Sequence, residues 1–201
     1  MDEYRKYWAD RVKEVGEIKS ATSLGNTYPE IMRPVLAGLN RSSARLIYDF
    51  ACGPGLIVPL VEELWPNARY VGLDISKPML KYASKEYPEL EWVLVDGPEY
   101  PNEQADIILA HSLFTHIYRE DALDYLEATK SALKPDGVAS ISIHVGEQWN
   151  EIKRIDYRAE DFELLLKSAG FNIMGVYVHP NMVPTGTSHL HQVFYRCSPS
   201  S

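Results

Sequence analysis

Short apolar or β-branched segments recur along the chain and are separated by longer, amphipathic segments. Apolar runs of about four to eight residues that are rich in Val, Ile, Tyr and Phe are typical of buried strands. The pattern predicts seven strands: RLIYDF (45–50), RYVGLD (69–74), EWVLV (91–95), ADIILA (105–110), VASISIH (138–144), NIMGVYVH (172–179) and HQVFYRC (191–197).

The segments between these strands have the spacing of apolar residues that amphipathic helices show. They are LIVPLVEEL (56–64), KPMLKYASKEY (77–87), EDALDYLEATKSAL (120–133) and AEDFELLLKSAG (159–170). Because strand and helix alternate, we expect an α/β fold with a doubly wound, mostly parallel sheet and helices on both faces. The loop between the last two strands is too short for a crossover helix, so those strands should pair antiparallel.

Composition and charge narrow the range of partners. The chain has 20 basic and 28 acidic residues and a net charge of −8, with no basic cluster, so we expect no nucleic-acid partner. No segment approaches the roughly 18 apolar residues of a membrane span, and the first residues are charged throughout, which predicts a cytoplasmic protein without membrane contact. The two cysteines, Cys52 and Cys197, provide neither a disulfide framework nor a Cys-rich zinc site.

A turn with two glycines follows the first predicted strand, within DFACGPGLIVPLVEEL (49–64). Gly53 and Gly55 lack a Cβ, so they can adopt positive φ and allow a ligand to approach the main chain. The helix that follows offers free N–H groups to an oxygen-rich ligand. A dinucleotide-binding turn, GxGxxG, is the alternative, but it requires a third glycine where Val58 stands.

Two carboxylates stand at the ends of the next two strands. Asp74 ends the second strand, where a carboxylate can accept both ribose hydroxyl protons; capping of the next helix is the alternative. Asp96 ends the third strand, where an acceptor can meet an adenine amino group; the alternative is ordinary turn chemistry in the sequence DGP. The fourth strand ends at Ala110 and delivers HSLFTH to the point where the strand order reverses.

Taken together in this order, these motifs resemble those of the Rossmann-like (class I) S-adenosylmethionine-dependent methyltransferases. DFACGPG resembles the first motif of the family, with Asp49 as its acid and Ala51 where glycine is commonest. The other matches are VGLDIS for the ribose, VDGPEYP for the adenine, ADIILAHSLFTHI beside the methyl group and LKPDGVASISI as the turn into the fifth strand. The resemblance covers residues 45–145 and implies S-adenosylmethionine as the cofactor.

The resemblance also implies functional residues. Those assigned to the cofactor are Asp49, Ala51, Gly53, Gly55, Asp74, Ile75, Met79, Asp96, Gly97, Ala110 and His111. Met79 has core packing as its alternative, and Ile75 is the better apolar neighbour of the adenine. His116 is the first choice for a catalytic base, because residues after the fourth strand face the methyl group in similar proteins; ordering of this loop is the alternative.

Residues for the methyl acceptor are expected in the variable parts of the chain: Tyr7, Trp8, His144, Trp149 and Arg154. We expect a single domain, 1–201, with a helical lid (1–40), a cofactor-binding core (45–145), and substrate loops with the terminal strand pair (146–201). The lid residues have packing in an ordinary core as their alternative. Loops of this kind often carry function because the scaffold holds them over the site.

No metal site is expected, although His189 and His191 alternate along the last strand. The nearby sequence offers no carboxylate partner, and the residues after the fourth strand, 110–112, are not acidic. The sequence therefore predicts metal-independent transfer of a methyl group to an O or N atom of a small molecule. Three alternatives stay open: a protein side chain as acceptor, a nonenzymatic regulator with the same fold, and a nucleotide-dependent oxidoreductase. The sequence leaves open whether the protein is a monomer or a homodimer.

Overall fold

The computed structural model describes residues 2–15, 28–146, 150–151, 154–179 and 191–200. In these ranges the strands are β1 Leu46–Phe50, β2 Arg69–Asp74, β3 Glu91–Leu94, β4 Ala105–Ala110, β5 Leu133–Val145, β6 Asn150–Glu151, β7 Arg154–Tyr157, β8 Phe171–His179 and β9 His191–Pro199. The helices are α1 Asp2–Val15, α2 Tyr28–Ala37, α3 Val58–Leu64, α4 Lys77–Glu86, α5 Ala122–Ser131 and α6 Ala159–Ser168.

The sheet is doubly wound, and its strand order reverses between β1 and β4. From one edge the order is β3-β2-β1-β4-β5, and all of these neighbours pair in parallel. β9 then pairs antiparallel with β5, and β8 pairs antiparallel with β9. The predicted α/β fold with antiparallel last strands is therefore confirmed, and its switch point lies where β1 and β4 end.

The structure differs from the predicted seven-stranded sheet by a short hairpin. Residues 146–158 lie in the part of the chain, 146–201, where substrate loops were expected, but they contain β6 and β7, which pair antiparallel with each other. β7 also pairs in parallel with the last residues of β5, where His144 faces Asp156. β4 has already ended at that level, so β7 takes its place beside β5. Strands this short, with the polar sequence RIDY, lack the apolar run that signals a buried strand.

The two faces of the sheet bury separate apolar cores, which explains the continuous apolar runs in the sequence. On one face Ile108 and Phe162 of α6 belong to the same buried apolar cluster. On the other face Ile107, Met32 of α2 and Leu60 of α3 belong to a second buried apolar cluster. With both faces covered by helices, the carboxyl ends of the strands form the rim where polar side chains collect. None of the described helices is long and apolar enough to cross a membrane.

Candidate active site

The glycine turn after β1 is held in place by the end of β2. The N–H groups of Ala51 and Cys52 donate to the carbonyl oxygen of Leu73, at 2.8 and 3.1 Å. The N–H of Gly53 donates to Oδ2 of Asp74, at 2.8 Å. The turn is therefore a fixed structure in which several backbone groups lie at the carboxyl ends of two neighbouring strands.

Gly53 and Gly55 both have positive φ, of 56° and 78°, but their surroundings differ. A Cβ added to Gly53 would meet no atom within 4 Å, so this glycine borders open space. A Cβ added to Gly55 would lie 2.9 Å from the ring of Trp92. Gly53 therefore leaves the main chain accessible to a ligand, as the predicted cofactor requires, whereas Gly55 is needed for packing.

Ala51 has a φ of 64°, a conformation that a residue with a Cβ adopts at a cost of about 1–2 kcal/mol. We expect Ala51→Gly to remove this strain and so to raise the free energy of unfolding. The gain should be at most about 1 kcal/mol, because glycine loses more backbone entropy on folding than alanine and this offsets part of the relieved strain. Chemical denaturation of the two proteins measures the difference. A lower midpoint for the variant would contradict the assignment of strain to Ala51.

Asp74 connects the glycine turn with the start of α4. Its Oδ1 accepts the N–H of Ser76 at 2.7 Å, and its Oδ2 accepts the N–H of Gly53 at 2.8 Å. The side chain is only 7% exposed, and burial raises its pKa to about 6. A carboxylate has about four lone-pair positions, so Asp74 retains capacity for further donors such as ribose hydroxyls.

Asp49, the acid of the first motif, lies in β1, just before the turn. Its side chain is buried, and its Oδ2 accepts the hydroxyl of Tyr70 at 2.6 Å. Burial raises the pKa of this carboxyl to about 7, and the nearby charge of Asp74 acts in the same direction. The structure thus joins Asp49 of β1 to Tyr70 of the neighbouring strand β2.

The residues predicted around the adenine are placed differently from one another. Asp96 is half exposed and forms an ion pair with Arg5 of α1, at 2.7 Å. Gly97 beside it has a φ of 127°. Ile75 is partly buried, whereas Met79 is fully buried within α4. The burial of Met79 favours its core-packing alternative.

After β4, the two histidines of HSLFTH point to different surroundings. Ala110 ends the strand in the core, and the ring of His111 is buried, with Nε2 2.8 Å from the hydroxyl of Ser140. The ring of His116 is half-buried and lies edge-on to Trp8, with the centroids 4.9 Å apart. Tyr7 is the second aromatic neighbour of His116, at 6.0 Å. The structure therefore brings three of the predicted residues together at this point.

Helix α1 docks across the rim through several contacts. The hydroxyl of Tyr4 donates to Asp121 at 2.7 Å and accepts the N–H of Tyr118 at 3.0 Å, which ties the helix to the start of α5. The next residue, Arg5, forms an ion pair with Asp96, and one turn on from Tyr4 the ring of Trp8 meets His116. These contacts place α1 against both the residue that follows β3 and the loop that follows β4.

Arg154 forms an ion pair with Asp156, a residue that the sequence did not single out. Its Nε and one terminal nitrogen donate to the two carboxylate oxygens of Asp156, at 3.0 and 2.8 Å. Asp156 is 1% exposed, and its carbonyl oxygen accepts two donors from Arg119. The sequence also did not single out Ser142 and Gln192, two buried polar residues that are hydrogen-bonded to each other. The alternation SISIH in β5 is the signal that could have indicated a polar face.

Two predicted positions lie outside the described residues. These are Trp149, expected to contact the acceptor, and His189, considered as a metal ligand. Within the described ranges, no three His, Cys, Asp or Glu side chains come together as a possible metal site.

Comparison with known proteins gives matches in sequence and in fold. The sequence profile of a methyltransferase domain family matches residues 47–137. Trans-aconitate 2-methyltransferase from an Azoarcus strain is 33% identical over 112 residues, which are 55% of this chain and 44% of that protein. The Escherichia coli enzyme of the same name is 29% identical over 118 residues, or 58% and 45% of the two chains. The matched part of the chain thus spans about half the length of these relatives.

Among solved structures, a mitomycin 7-O-methyltransferase superimposes with a TM-score of 0.75 at 16% identity, covering 98% of this chain and 60% of the other. A magnesium protoporphyrin IX methyltransferase from Synechocystis, with bound S-adenosylhomocysteine, gives 0.73 at 15% identity, covering 99% and 97%. At these identities the likeness concerns the fold. The profile match covers the glycine turn and both rim carboxylates, and the fold agrees with it. Residues 47–137 therefore match a methyltransferase domain family, and the fold of the chain is that of the Rossmann-like (class I) S-adenosylmethionine-dependent methyltransferases.

Proposed function

We propose that this protein transfers a methyl group to an O or N atom of a small molecule, without a metal. The observation that carries the proposal is the open space beside Gly53, next to the buried carboxylate of Asp74. A ligand fits this pair of features when its vicinal hydroxyls donate to Asp74 and a polar chain of the same ligand lies beside Gly53. The names of the relatives, which act on trans-aconitate, support a small acceptor.

The residues of the turn and of the β2 and β3 ends would hold the cofactor. Asp74 would accept the ribose hydroxyls, and the main chain at Gly53 would face the amino-acid part. Ile75 would pack against the adenine, and Asp96 would accept its amino group. When bound, S-adenosylmethionine supplies an electrophilic methyl group on a sulfonium, which needs alignment with the acceptor more than covalent help.

The chain's own contribution to transfer is to position the acceptor and to exclude water. Holding two reactants in the right geometry can lower a barrier by about 7–11 kcal/mol. Trp8 and Tyr7 of α1 pack on His116 and so close the rim over the β4 loop. His116 is the proposed base for an acceptor that must lose a proton, because its half-buried ring lies at this closed end. The residues after β4 are not acidic, which supports transfer without a metal.

Affinity for S-adenosylhomocysteine should depend on pH through Asp74. The pKa of its carboxyl is raised to about 6, and the ionised form is the better acceptor for ribose hydroxyls. We therefore expect affinity to rise between about pH 5 and pH 7 and to level off above that range. Calorimetric titration across this range measures the effect.

Two variants identify the group responsible. Asp74→Asn should remove the rise with pH, whereas Asp49→Asn should keep it, because the buried carboxyl of Asp49 is hydrogen-bonded to Tyr70. Both carboxyls also have a higher pKa in the folded chain than the ordinary 3.8. The folded chain then binds more protons than the unfolded chain between about pH 4 and pH 7, so the free energy of unfolding should fall as pH rises through that window. An affinity that stays flat with pH would contradict the role of Asp74.

The function is tested by titrating the protein with S-adenosylhomocysteine and, separately, with NAD. Binding of S-adenosylhomocysteine alone supports the proposal, whereas binding of NAD alone would favour the oxidoreductase alternative. Release of S-adenosylhomocysteine is then followed while small-molecule acceptors and a protein extract are offered. Turnover with the extract alone would favour a protein side chain as acceptor, and cofactor binding without any turnover would favour a regulator. His116→Ala should slow turnover without reducing the affinity for S-adenosylhomocysteine. Unchanged turnover in this variant would mean that the His116 ring contributes only packing.

A further inference from the structure

Asp96 lies where the carboxyl ends of β2 and β3 meet. Leu94 of β3 is the register partner of Asp74, and the N–H of Val95 donates to the carbonyl oxygen of Asp74 at 3.1 Å. Asp96 is the next residue, and Gly97 after it has a φ of 127°, which residues with a Cβ rarely adopt. The main chain on both sides of Asp96 therefore has a defined course. The direction of its carboxylate depends on side-chain contacts, because the side chain is 55% exposed.

One oxygen of this carboxylate is bound by helix α1. A terminal nitrogen of Arg5 lies 2.7 Å from Oδ1 of Asp96. Within the described ranges Arg5 is the ion-pair partner of Asp96, and Oδ2 accepts no hydrogen bond there. A carboxylate has about four lone-pair positions on its two oxygens, so Oδ2 retains its capacity for another donor.

Arg5 belongs to a helix that is anchored on both sides of it. The preceding residue, Tyr4, is 5% exposed, and its hydroxyl donates to Asp121 at 2.7 Å. Three residues after Arg5, the ring of Trp8 packs edge-on against His116. The guanidinium therefore approaches the carboxylate from a helix whose position is set by other contacts.

The exposure of this ion pair favours a role in orientation over a role in stability. The side chains of Arg5 and Asp96 are 37% and 55% exposed, and ion pairs this open to water contribute little to stability. The pair still restricts the two side-chain torsions of Asp96. An acceptor that is already held in one orientation gives up less freedom when a ligand binds, which strengthens binding.

We propose that Arg5 is a positioning residue for the cofactor: it holds Oδ1 of Asp96, so that Oδ2 is presented to the amino group of the adenine. This inference rests on the proposed function, in which Asp96 accepts that amino group, and adds the residue that orients the acceptor. Arg5 keeps its contact when the cofactor binds, because the two donors use different oxygens. Docking of α1 and binding of the adenine therefore favour each other.

The test compares S-adenosylhomocysteine with an analogue that carries purine in place of adenine and so lacks the amino group. Both ligands are titrated calorimetrically into the original protein, Arg5→Ala and Arg5→Lys. The ratio of the two affinities reports the contact between Asp96 and the amino group, because the rest of the ligand is the same. We expect a ratio of at least about tenfold in the original protein and a ratio about threefold lower in Arg5→Ala. Arg5→Lys keeps the charge and should keep the ratio within about twofold.

The ratio separates positioning from other roles of Arg5. An unchanged ratio in Arg5→Ala, with both ligands weakened equally, would overturn the proposal and leave Arg5 only the docking of α1. A higher ratio would also overturn it, since Arg5 would then compete with the adenine for Asp96. A ratio near one in the original protein would mean that Asp96 does not contact the amino group, and the proposal would fall.

A matched control is Arg33→Ala. Arg33 of α2 is an exposed arginine in an ion pair with Glu63 of α3, and neither residue is among those proposed for the cofactor. This variant should leave both affinities unchanged. Failure of S-adenosylhomocysteine to bind the original protein would count against the proposed function and, with it, against this inference. Normal binding with an unchanged ratio in Arg5→Ala would count against the inference alone.

Discussion

Asp74→Ala is expected to reduce the affinity for S-adenosylhomocysteine by at least about 100-fold. The carboxylate is the proposed acceptor of two ribose hydroxyls, and a hydrogen bond to a charged group contributes about 1.5–3 kcal/mol, so the loss of two amounts to about 3 kcal/mol or more. The same side chain accepts the N–H groups of Gly53 and Ser76, so its removal also loosens the turn. Calorimetric titration measures the affinity directly.

A second aspartate gives a matched control for this prediction. Asp136 is 77% exposed and pairs with Arg41, outside the rim, so Asp136→Ala should leave cofactor affinity unchanged. Thermal unfolding of both variants shows whether the fold is retained. The contrary result is an Asp74→Ala variant that binds S-adenosylhomocysteine within about threefold of the original affinity while the control behaves as expected. That result would leave Asp74 only the structural role of connecting the turn with α4.

Gly53→Val is expected to weaken S-adenosylhomocysteine binding by at least about 30-fold, which corresponds to about 2 kcal/mol. The new side chain would project into the open space beside the turn, where the cofactor's main-chain contacts are proposed. It would also be strained, because a β-branched residue rarely adopts a φ near 56°. Affinity and thermal stability should be measured on the same preparations, so that strain and blocked binding are distinguished.

The neighbouring glycine provides the comparison. Gly55→Val would collide with the rings of Trp92 and Tyr87, so its main effect should be a loss of stability. A Cβ at Gly53 meets no protein atom within 4 Å, so Gly53→Val loses stability only through its strained φ and should lose binding more than stability. A folded Gly53→Val protein with the original affinity would refute the proposed approach of the cofactor to this turn.

Much of the fold could be predicted because it depends on local apolar runs. Each of the seven predicted strands is present, and the central strands β1 and β4 are mostly apolar along their length because they are covered on both faces. The hairpin of β6 and β7 could not be predicted in this way. β7 is stabilised by pairing with the end of β5 and by the contact of the Ile155 N–H with the carbonyl oxygen of Thr115, both of which are distant in sequence.

For the site, the sequence by itself determined the elements that short motifs encode: the turn at Gly53 and Gly55, and carboxylates at the ends of two neighbouring strands. These features depend on which residues can adopt a positive φ and on where the strands end, and both are local properties of the sequence. Only the tertiary structure decided which side chains meet. The pairs of Arg5 with Asp96, Trp8 with His116 and Arg154 with Asp156 depend on how α1 and β7 pack against the rim. The surroundings of His144 likewise depend on the register of β5 with β7 and β9. Register is set by pairing across the sheet, so the local sequence does not reveal it.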